Sequence, residues 1–544
     1  MPSPFSSSPT TTFVQSGVNT VDSLLNPDHH KWAVTSGPVV ALTYSFPWLS
    51  GASAYWQSNY SPYSEPQSAV HLAFNASEIY AASNALQAWA SVAAITFTQV
   101  ADTSSNVGDF RFAFSSAVNN GIWGYCNYPD NTSANAADVW VNPIYASEQN
   151  DWTDASYNYM ATMHEIGHGL GLKHPGNYNV GGSGTPGPYI SGDLDYRNYT
   201  IMSYNNFKSQ YWDPSLHQTI TVYPKTPMVY DIAAIQYLYG ANNSYHTGND
   251  TYRFDPSIPF YTSIWDAGGN DTIDVSNFST NCTLNLTPGH YSSILYGQPT
   301  SDSNYYDGTN NLGIAFGVTI ENATGGSGSD SITGNSANNT LIGNSGNDTF
   351  IGGGGSDNID GGSGIDTIIL TNKQLNYTIA LAEHGFSIKD NLGADGTATE
   401  VNVEKLQFTD LILTIDATPS DNLSEAYRMY KAAFDRVPDY GGLGYWYNAL
   451  NKGETLNQVA GDFINSNEFK SLYGTNPSDQ TFVTLLYQHV LGRTPDQSGY
   501  DFWINSLHTI TRAQELAYFS ESAENKADII GIIANGIIYQ EYTA

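Results

Sequence analysis

Residues 163–175 read Met-His-Glu-Ile-Gly-His-Gly-Leu-Gly-Leu-Lys-His-Pro. His164 and His168 are four apart, so on a helix they lie on one face, a turn from each other, where both imidazoles reach a single ion. Glu165 adjoins the first histidine and projects beside that ion without being obliged to bind it. Gly167 and Gly169 inside a helix each cost about 1 kcal/mol relative to Ala, which points to close packing at the site. Gly171 permits a sharp turn that brings His174 back as a third nitrogen ligand. Three neutral imidazoles leave a tetrahedral Zn²⁺ one open position for water, the arrangement of a catalytic site and not of a closed structural one. Such an ion lowers the pKa of its water towards about 7, and a neighbouring carboxylate can take the proton. One catalytic Zn²⁺ on His164, His168 and His174 is the first expectation, with Glu165 activating the water.

A second pattern lies downstream. From Gly325 the chain falls into five consecutive nonads, GGSGSDSIT, GNSANNTLI, GNSGNDTFI, GGGGSDNID and GGSGIDTII. Each opens on a turn of small residues, places Asp or Asn sixth, and a large apolar residue eighth: Ile332, Leu341, Phe350, Ile359 and Ile368. A flexible glycine-rich linker would not keep an apolar residue at that interval. The pattern resembles the RTX repeats of a calcium-loaded parallel β-roll, in which turn carbonyls and Asp carboxylates of stacked coils supply the 6–8 oxygens that Ca²⁺ takes. The expected carboxylate ligands are Asp330, Asp348, Asp357 and Asp366. The second nonad carries Asn338 and Asn339 where Gly and Asp are expected, so a site built partly from it should be weaker or absent.

The charge distribution agrees. The 544 residues hold 51 acids against 18 bases, a formal net charge of −33, yet 39 Tyr and 11 Trp give ample material for folded cores. No base lies between Arg253 and Lys373, a stretch with twelve acids. Such a balance excludes nucleic acid and anionic bilayers as main partners and favours cations. Cys126 and Cys282 are too few for a disulfide framework or a thiolate cluster, and a single bridge between them stays open. No window offers the ~20 apolar residues of a membrane span, and Met1 to Gln15 lacks the features of a Sec signal peptide.

Beyond residue 420, FDRVPDYGGLGYWYNAL (434–450) is echoed by LGRTPDQSGYDFWINSL (491–507), aligning Arg436 with Arg493, Asp439 with Asp496 and Trp446 with Trp503. The flanks carry apolar residues at helical spacing, so these are two copies of an all-α unit, with Pro-Asp-x-x-Gly as a helix-linking turn and each Trp in the core. The segment resembles helical modules at the ends of bacterial secreted and surface-layer-associated proteins, a likeness that assigns no chemistry.

The motif at 164–174 is the extended zincin pattern H-E-x-x-H-x-x-G-x-x-H of the metzincins. Tyr199-Thr200-Ile201-Met202-Ser203-Tyr204 looks like the Met-turn of that clan, and GYCNYP from Gly124, DVWVN from Asp138, PMVYDIAAIQYLYGAN from Pro227 and IWDAGGNDTID from Ile264 add further matches. With the nonads, the first ~410 residues resemble the serralysins, secreted bacterial zinc endopeptidases with a C-terminal β-roll. The resemblance implies Zn²⁺ on His164, His168 and His174, Glu165 as general base, and Met202 as structural support beneath the metal. It also implies that Tyr204 swings between axial zinc ligation and hydrogen-bonding the tetrahedral intermediate, that the edge strand at Gly124–Pro129 pairs with extended substrate, and that Asp266, Gly268 and Asp271 form a further calcium site. His29, His30, His71, His217 and His384 have no ligand spacing and read as surface or hydrogen-bonded residues.

The expected architecture is multidomain: a flexible leader or short propeptide over 1–20, an α+β metzincin catalytic domain over 21–245, a calcium-binding parallel β-roll (RTX) over 246–416, and an all-α C-terminal domain over 417–544. The expected function is hydrolysis of peptide bonds in protein or peptide substrates, by a zinc-bound water that Glu165 activates. Without calcium the base-free acidic stretch repels itself, so the roll should stay unfolded in a bacterial cytosol and fold outside it. In the family this accompanies type I secretion to the extracellular medium. The rival reading is a non-catalytic surface protein whose roll and helical repeats attach the chain to a cell envelope.

Overall fold

Phe110–Ser115 is a strand in which every residue is buried, with Phe110, Phe112 and Phe114 on one face and Arg111, Ala113 and Ser115 on the other. In the computed structural model, which describes residues 8–49, 71–103, 106–118, 121–130, 132–146, 150–179, 184–297, 304–382, 385–415, 421–533 and 536–543, this strand lies inside a mixed sheet. The spatial order is Ile95–Gln99, Val40–Ser45, Phe110–Ser115, Val139–Val141 and Gly124–Cys126, with His71–Leu72 pairing Phe110–Ser115 off this path. The first four strands of the order run parallel, and Gly124–Cys126 lies antiparallel at the edge. Arg111, the charge inside the central strand, is 2% exposed and sits 3.0 Å from Asp102, so its burial is compensated by an ion pair.

Two helices, Ala76–Val92 and Tyr157–Gly169, pack on each other and against this sheet. Asn75 and Glu78 close a capping box on the first, and the Ser156 hydroxyl caps the second. Trp89, fully buried on the first helix, donates from Nε1 to the carbonyl of Met163 on the second at 3.0 Å, fixing their mutual register.

The stretch expected to be a flexible leader or short propeptide makes defined contacts over its described part. Thr10–Thr12 pairs antiparallel with His30–Trp32, the Val14 carbonyl accepts from the Tyr237 hydroxyl at 2.9 Å, and Val21 is buried in the short helix Asn19–Asp22. Backbone pairing and apolar burial hold this segment, and residues 1–7 lie outside the described residues, as does His384.

The chain forms two compact units, residues 1–337 and 338–544, so the segment expected to be roll falls in both. In the first, Thr251–Arg253, Thr272–Asp274 and Asn322–Thr324 pair in parallel, as do Thr283–Asn285 and Ser331–Thr333. In the second, Leu341 stands opposite Ile359 and Phe350 opposite Ile368 in two parallel pairs. These partners are two nonads apart, so successive nonads alternate between two sheets. All five eighth-position residues are at most 2% exposed, which is what a narrow roll interior demands. Cys126 and Cys282 are both free.

From Asn422 to Ile533 the second unit is helical, with eight helices among the described residues. Asp439 and Asp496, the repeat's paired acids, cap the helices Tyr440–Asn451 and Gln497–Ser506 by accepting from Gly442 N at 2.7 Å and Gly499 N at 2.9 Å. Arg436 and Arg493 pair with Glu468 and Glu524, both at 2.6 Å. Trp446 and Trp503 are half-buried against Phe463 and Phe519. The segment expected to be wholly helical ends differently: Ile537–Tyr539 returns as a strand antiparallel to Ile412–Thr414, its two isoleucines and tyrosine suited to cover that edge. Among the described residues no helix is long and apolar enough to cross a membrane.

Candidate active site

Helix Tyr157–Gly169 is buried from Asn158 onward, and its closing carbonyls would be orphaned without outside partners. Trp32 Nε1 donates to Gly169 O at 2.8 Å, and the Tyr239 hydroxyl to Leu170 O at 2.7 Å. Gly171, at φ +104°, then turns the chain in a conformation few side chains adopt, and Asn26 Nδ2 binds its carbonyl at 2.9 Å. Lys173 is 1% exposed and ties the returning loop down through Ser23 O, Pro188 O and His174 O at 2.6, 3.0 and 3.2 Å.

This turn brings the three histidines together. His174 Nε2 lies 3.1 Å from Nε2 of His164 and 3.1 Å from Nε2 of His168, and all three rings are buried. His164 Nδ1 meets Ile201 O and His168 Nδ1 meets Leu172 O, each at 2.8 Å. A carbonyl only accepts, so both Nδ1 atoms carry the proton and both Nε2 atoms present lone pairs. Burial draws all three imidazoles down, His168 to about 4, so none is protonated near neutrality. The lone pairs of His164 and His168 thus converge on the Nε2 of His174, an arrangement that a cation at the centre would stabilise. Nitrogens 2.0–2.1 Å from one tetrahedral ion stand about 3.3–3.4 Å apart, close to what is seen, so the residues present fit zinc.

Glu165 is buried beside these rings, its carboxylate receives the backbone N–H of Cys126 on the edge strand, and burial pushes it up to about 8. The Tyr204 ring lies 4.4 Å from that of His174 and 5.8 Å from that of His164, at a solvent-accessible position. Met202 is fully buried, and its Sδ would stand 2.7 Å from a Cβ added to Gly167. A Cβ on Gly169 would meet Phe110 at 2.4 Å. Both helix glycines therefore make room for neighbours. The turn carrying Met202 is anchored by Asp231, which accepts from Ile201 N at 2.7 Å, Met228 N at 2.8 Å and the Thr200 hydroxyl at 2.6 Å. Asp231 lies within the stretch quoted for the family resemblance, but nothing in its spacing told that it braces the turn. A cavity of about 190 Å³ opens beside His164 and Glu165, with Arg197 on its wall.

The acidic residues form ladders. Asp271 accepts from Asp250 N at 2.7 Å, Asp330 from Cys282 N and Gly326 N at 2.6 Å each, Asp357 from Asn339 N at 2.9 Å, and Asp366 from Asp348 N at 2.7 Å. The second oxygens of Asp271, Asp357 and Asp366 are buried with no hydrogen-bond partner among the described residues, and burial raises Asp357 to about 7. Orphaned buried carboxylate oxygens of this kind suit a hard cation. A Cβ on Gly364 would lie 1.7 Å from Gly346 O, so only glycine lets those coils stack. Asp266 accepts from Gly268 N at 2.9 Å and gathers with His246 and Asp250, two residues the sequence reading missed. It missed also Glu321 and Glu404, which accept from Asp271 N at 2.8 Å and Asp366 N at 2.6 Å as the nonad acids do. Glu321 keeps the nine-residue period but precedes the first nonad, and Glu404 lies off it, 38 residues after Asp366, so a search confined to the five nonads passes over both.

Comparison with known proteins agrees with this geometry. The family described as Matrixin matches residues 56–179, Peptidase M10 serralysin C terminal matches 231–423, and a Domain of unknown function (DUF4214) matches 421–471 and 460–529. Serralysin C of Dickeya chrysanthemi is 41% identical over 274 residues, 47% of this chain and 53% of that protein. Serralysin of Proteus mirabilis is 36% identical over 325 residues, and metallopeptidase AprA of Pseudomonas marginalis 35% over 315, each covering 54% of this chain and 60% of the relative. The chain thus spans little more than half the length of these curated relatives. Through residues 56–179 and 231–423 and at 35–41% identity, the chain is similar to the serralysin-type metzincins, with a helical module following the matched segments.

Proposed function

We propose that this protein is a zinc endopeptidase whose ligands are His164, His168 and His174 and whose general base is Glu165. The observation that carries the reading is the convergence of three imidazoles, with His174 Nε2 3.1 Å from the Nε2 atoms of both His164 and His168, beside a buried carboxylate on the helix of those two histidines. A zinc ion held there would supply Lewis acidity and make water acidic enough to lose a proton near neutrality. Glu165 takes that proton and returns it to the departing amide nitrogen, its carboxylate aimed by the Cys126 N–H. The edge strand Gly124–Cys126 offers its unpaired side to an extended substrate backbone. Tyr204, at the accessible side of the histidines, donates its hydroxyl to the oxygen on which charge develops. Met202 supports the histidine helix from beneath.

The reading includes calcium at Asp266, Gly268 and Asp271 and along Asp330, Asp348, Asp357 and Asp366. Folding of the roll would then wait for extracellular calcium, consistent with type I secretion and action outside the cell. The buried partnerless oxygens of Asp271, Asp357 and Asp366 support it. Incubating the purified full chain with casein or a fluorogenic peptide, with and without a zinc chelator, tests the central claim. Cleavage that the chelator stops and zinc restores is expected. A zinc-loaded protein that cleaves neither would favour a non-catalytic surface role.

A further inference from the structure

The chain has seven arginines, and six of them pair with a carboxylate: Arg111, Arg253, Arg428, Arg436, Arg493 and Arg512. Arg197 is the exception among the described residues, in a protein with 51 acids to choose from. It lines the cavity beside Glu165, whose other walls include Trp123, Tyr157 and Met160. Two protein contacts hold its orientation: Nε donates to Ser203 O at 3.1 Å and Nη1 to the side chain of Asn206 at 2.6 Å. The guanidinium stands 5.8 Å over the Tyr157 ring. Nη2 donates to no protein acceptor among the described residues. A half-buried guanidinium that is braced on one edge and open on another is pre-organised for a planar anion, and the aromatic walls beside it reduce its contact with water and strengthen the attraction.

We propose that Arg197 makes this cavity a carboxylate-selective substrate subsite, taking an Asp or Glu side chain that flanks the scissile bond. The inference rests on the peptidase reading above and adds the substrate's chemical class. The aromatic and methionine walls would receive the methylenes, and the open Nη2 edge the carboxylate. A free C-terminal carboxylate has the same chemistry, so the test separates the two sources.

The experiment uses the full chain with zinc and calcium, and amidated fluorogenic peptides that differ only in Glu or Gln at each position flanking the cleaved bond. A Gln peptide with a free C-terminus completes the set. At one flanking position the Glu peptide should exceed its Gln counterpart about tenfold or more in kcat/KM, mainly through KM. Arg197→Gln should bring that ratio to within about twofold, while Arg197→Lys retains part of the preference and shows that the charge is what is read. Equal rates in the wild type, or a ratio that Arg197→Gln does not move, would overturn the proposal. Fluorescence anisotropy of the same peptides on Glu165→Gln reads the subsite without turnover, and equal affinities there would overturn it too. If zinc-loaded wild type cleaves no peptide at all, the peptidase reading fails, and the anisotropy still decides the subsite. A stronger effect of the free C-terminus than of internal Glu supports the subsite and assigns the carboxylate to the peptide's end.

Discussion

In the proposed mechanism Glu165 takes up a proton and gives it back, and its surroundings suit both acts: burial raises its proton affinity, and the Cys126 N–H restrains the carboxylate. Glu165→Gln keeps the shape and the neighbouring ligands, so zinc content should be unchanged while turnover falls about 10²–10⁴-fold, the usual contribution of general acid-base catalysis. Comparable proteolysis by a zinc-replete variant would remove Glu165 from that role. Tyr204→Phe should lower kcat with little change in zinc content, because the ring packing against His174 remains and only the hydroxyl goes. Gly167 sets propensity against packing. Alanine is favoured in a helix by about 1 kcal/mol, yet its Cβ would press on Met202 Sδ at 2.7 Å and Trp89 at 3.2 Å. Gly167→Ala should therefore lose a net ~1–3 kcal/mol of stability, measured by thermal unfolding. A more stable variant would show that the neighbours yield.

Among the elements, the paired helical repeats show what their shared residues do. Thr455 with Gln458 and Thr511 with Gln514 close equivalent capping boxes on helices Leu456–Asn465 and Arg512–Ser520. In that register Glu515 takes the place of the fully buried Val459, although it is itself fully buried and neither carboxylate oxygen has a hydrogen-bond partner among the described residues. Burial raises it to about 8, above the ordinary 4.5, so the folded state holds a proton that the unfolded chain releases. Its contribution is then fully present below about 4.5 and is lost as pH rises through about 8, at no more than about 1.4 kcal/mol per pH unit. The helical transition should weaken between pH 5 and 8, and Glu515→Val should flatten that slope and raise stability above pH 8. A variant with the parent's pH profile would show that Glu515 titrates normally. The repeat itself was legible because a cap or a Pro-Asp turn acts within a few residues. The return of Ile537–Tyr539 to Ile412–Thr414 was not, because that pairing spans more than a hundred residues.

For the whole molecule the decisive quantity is the acidic balance of the roll. Carboxylates stack in ladders in which the second oxygens of Asp271, Asp357 and Asp366 find no hydrogen-bond partner among the described residues, so calcium should be required for the parallel strands to assemble. Circular dichroism in EGTA should show reduced β content, regained at about 10⁻⁴–10⁻³ M Ca²⁺, the range of extracellular calcium modules. Identical spectra in both conditions would contradict a calcium-dependent fold. Glu404→Gln extends the test to a residue outside the repeat: it should weaken calcium binding next to Asp366, read by equilibrium dialysis, since Glu404 binds the Asp366 N–H as the repeat acids bind theirs.

The sequence by itself determined the three histidines, the glutamate between them, and the nonad roll, because spacing of four on a helix and of nine in a coil is geometry that the local chain carries. It could not determine that Cys126 steers Glu165, that Asp231 holds the Met202 turn, that Lys173 fastens the loop of His174, or that Arg197 faces the cleft with no ion-pair partner among the described residues. Those are meetings between distant segments, and burial gives them their strength: a hydrogen bond or an unpaired charge becomes decisive only after folding has removed the water that would otherwise satisfy it.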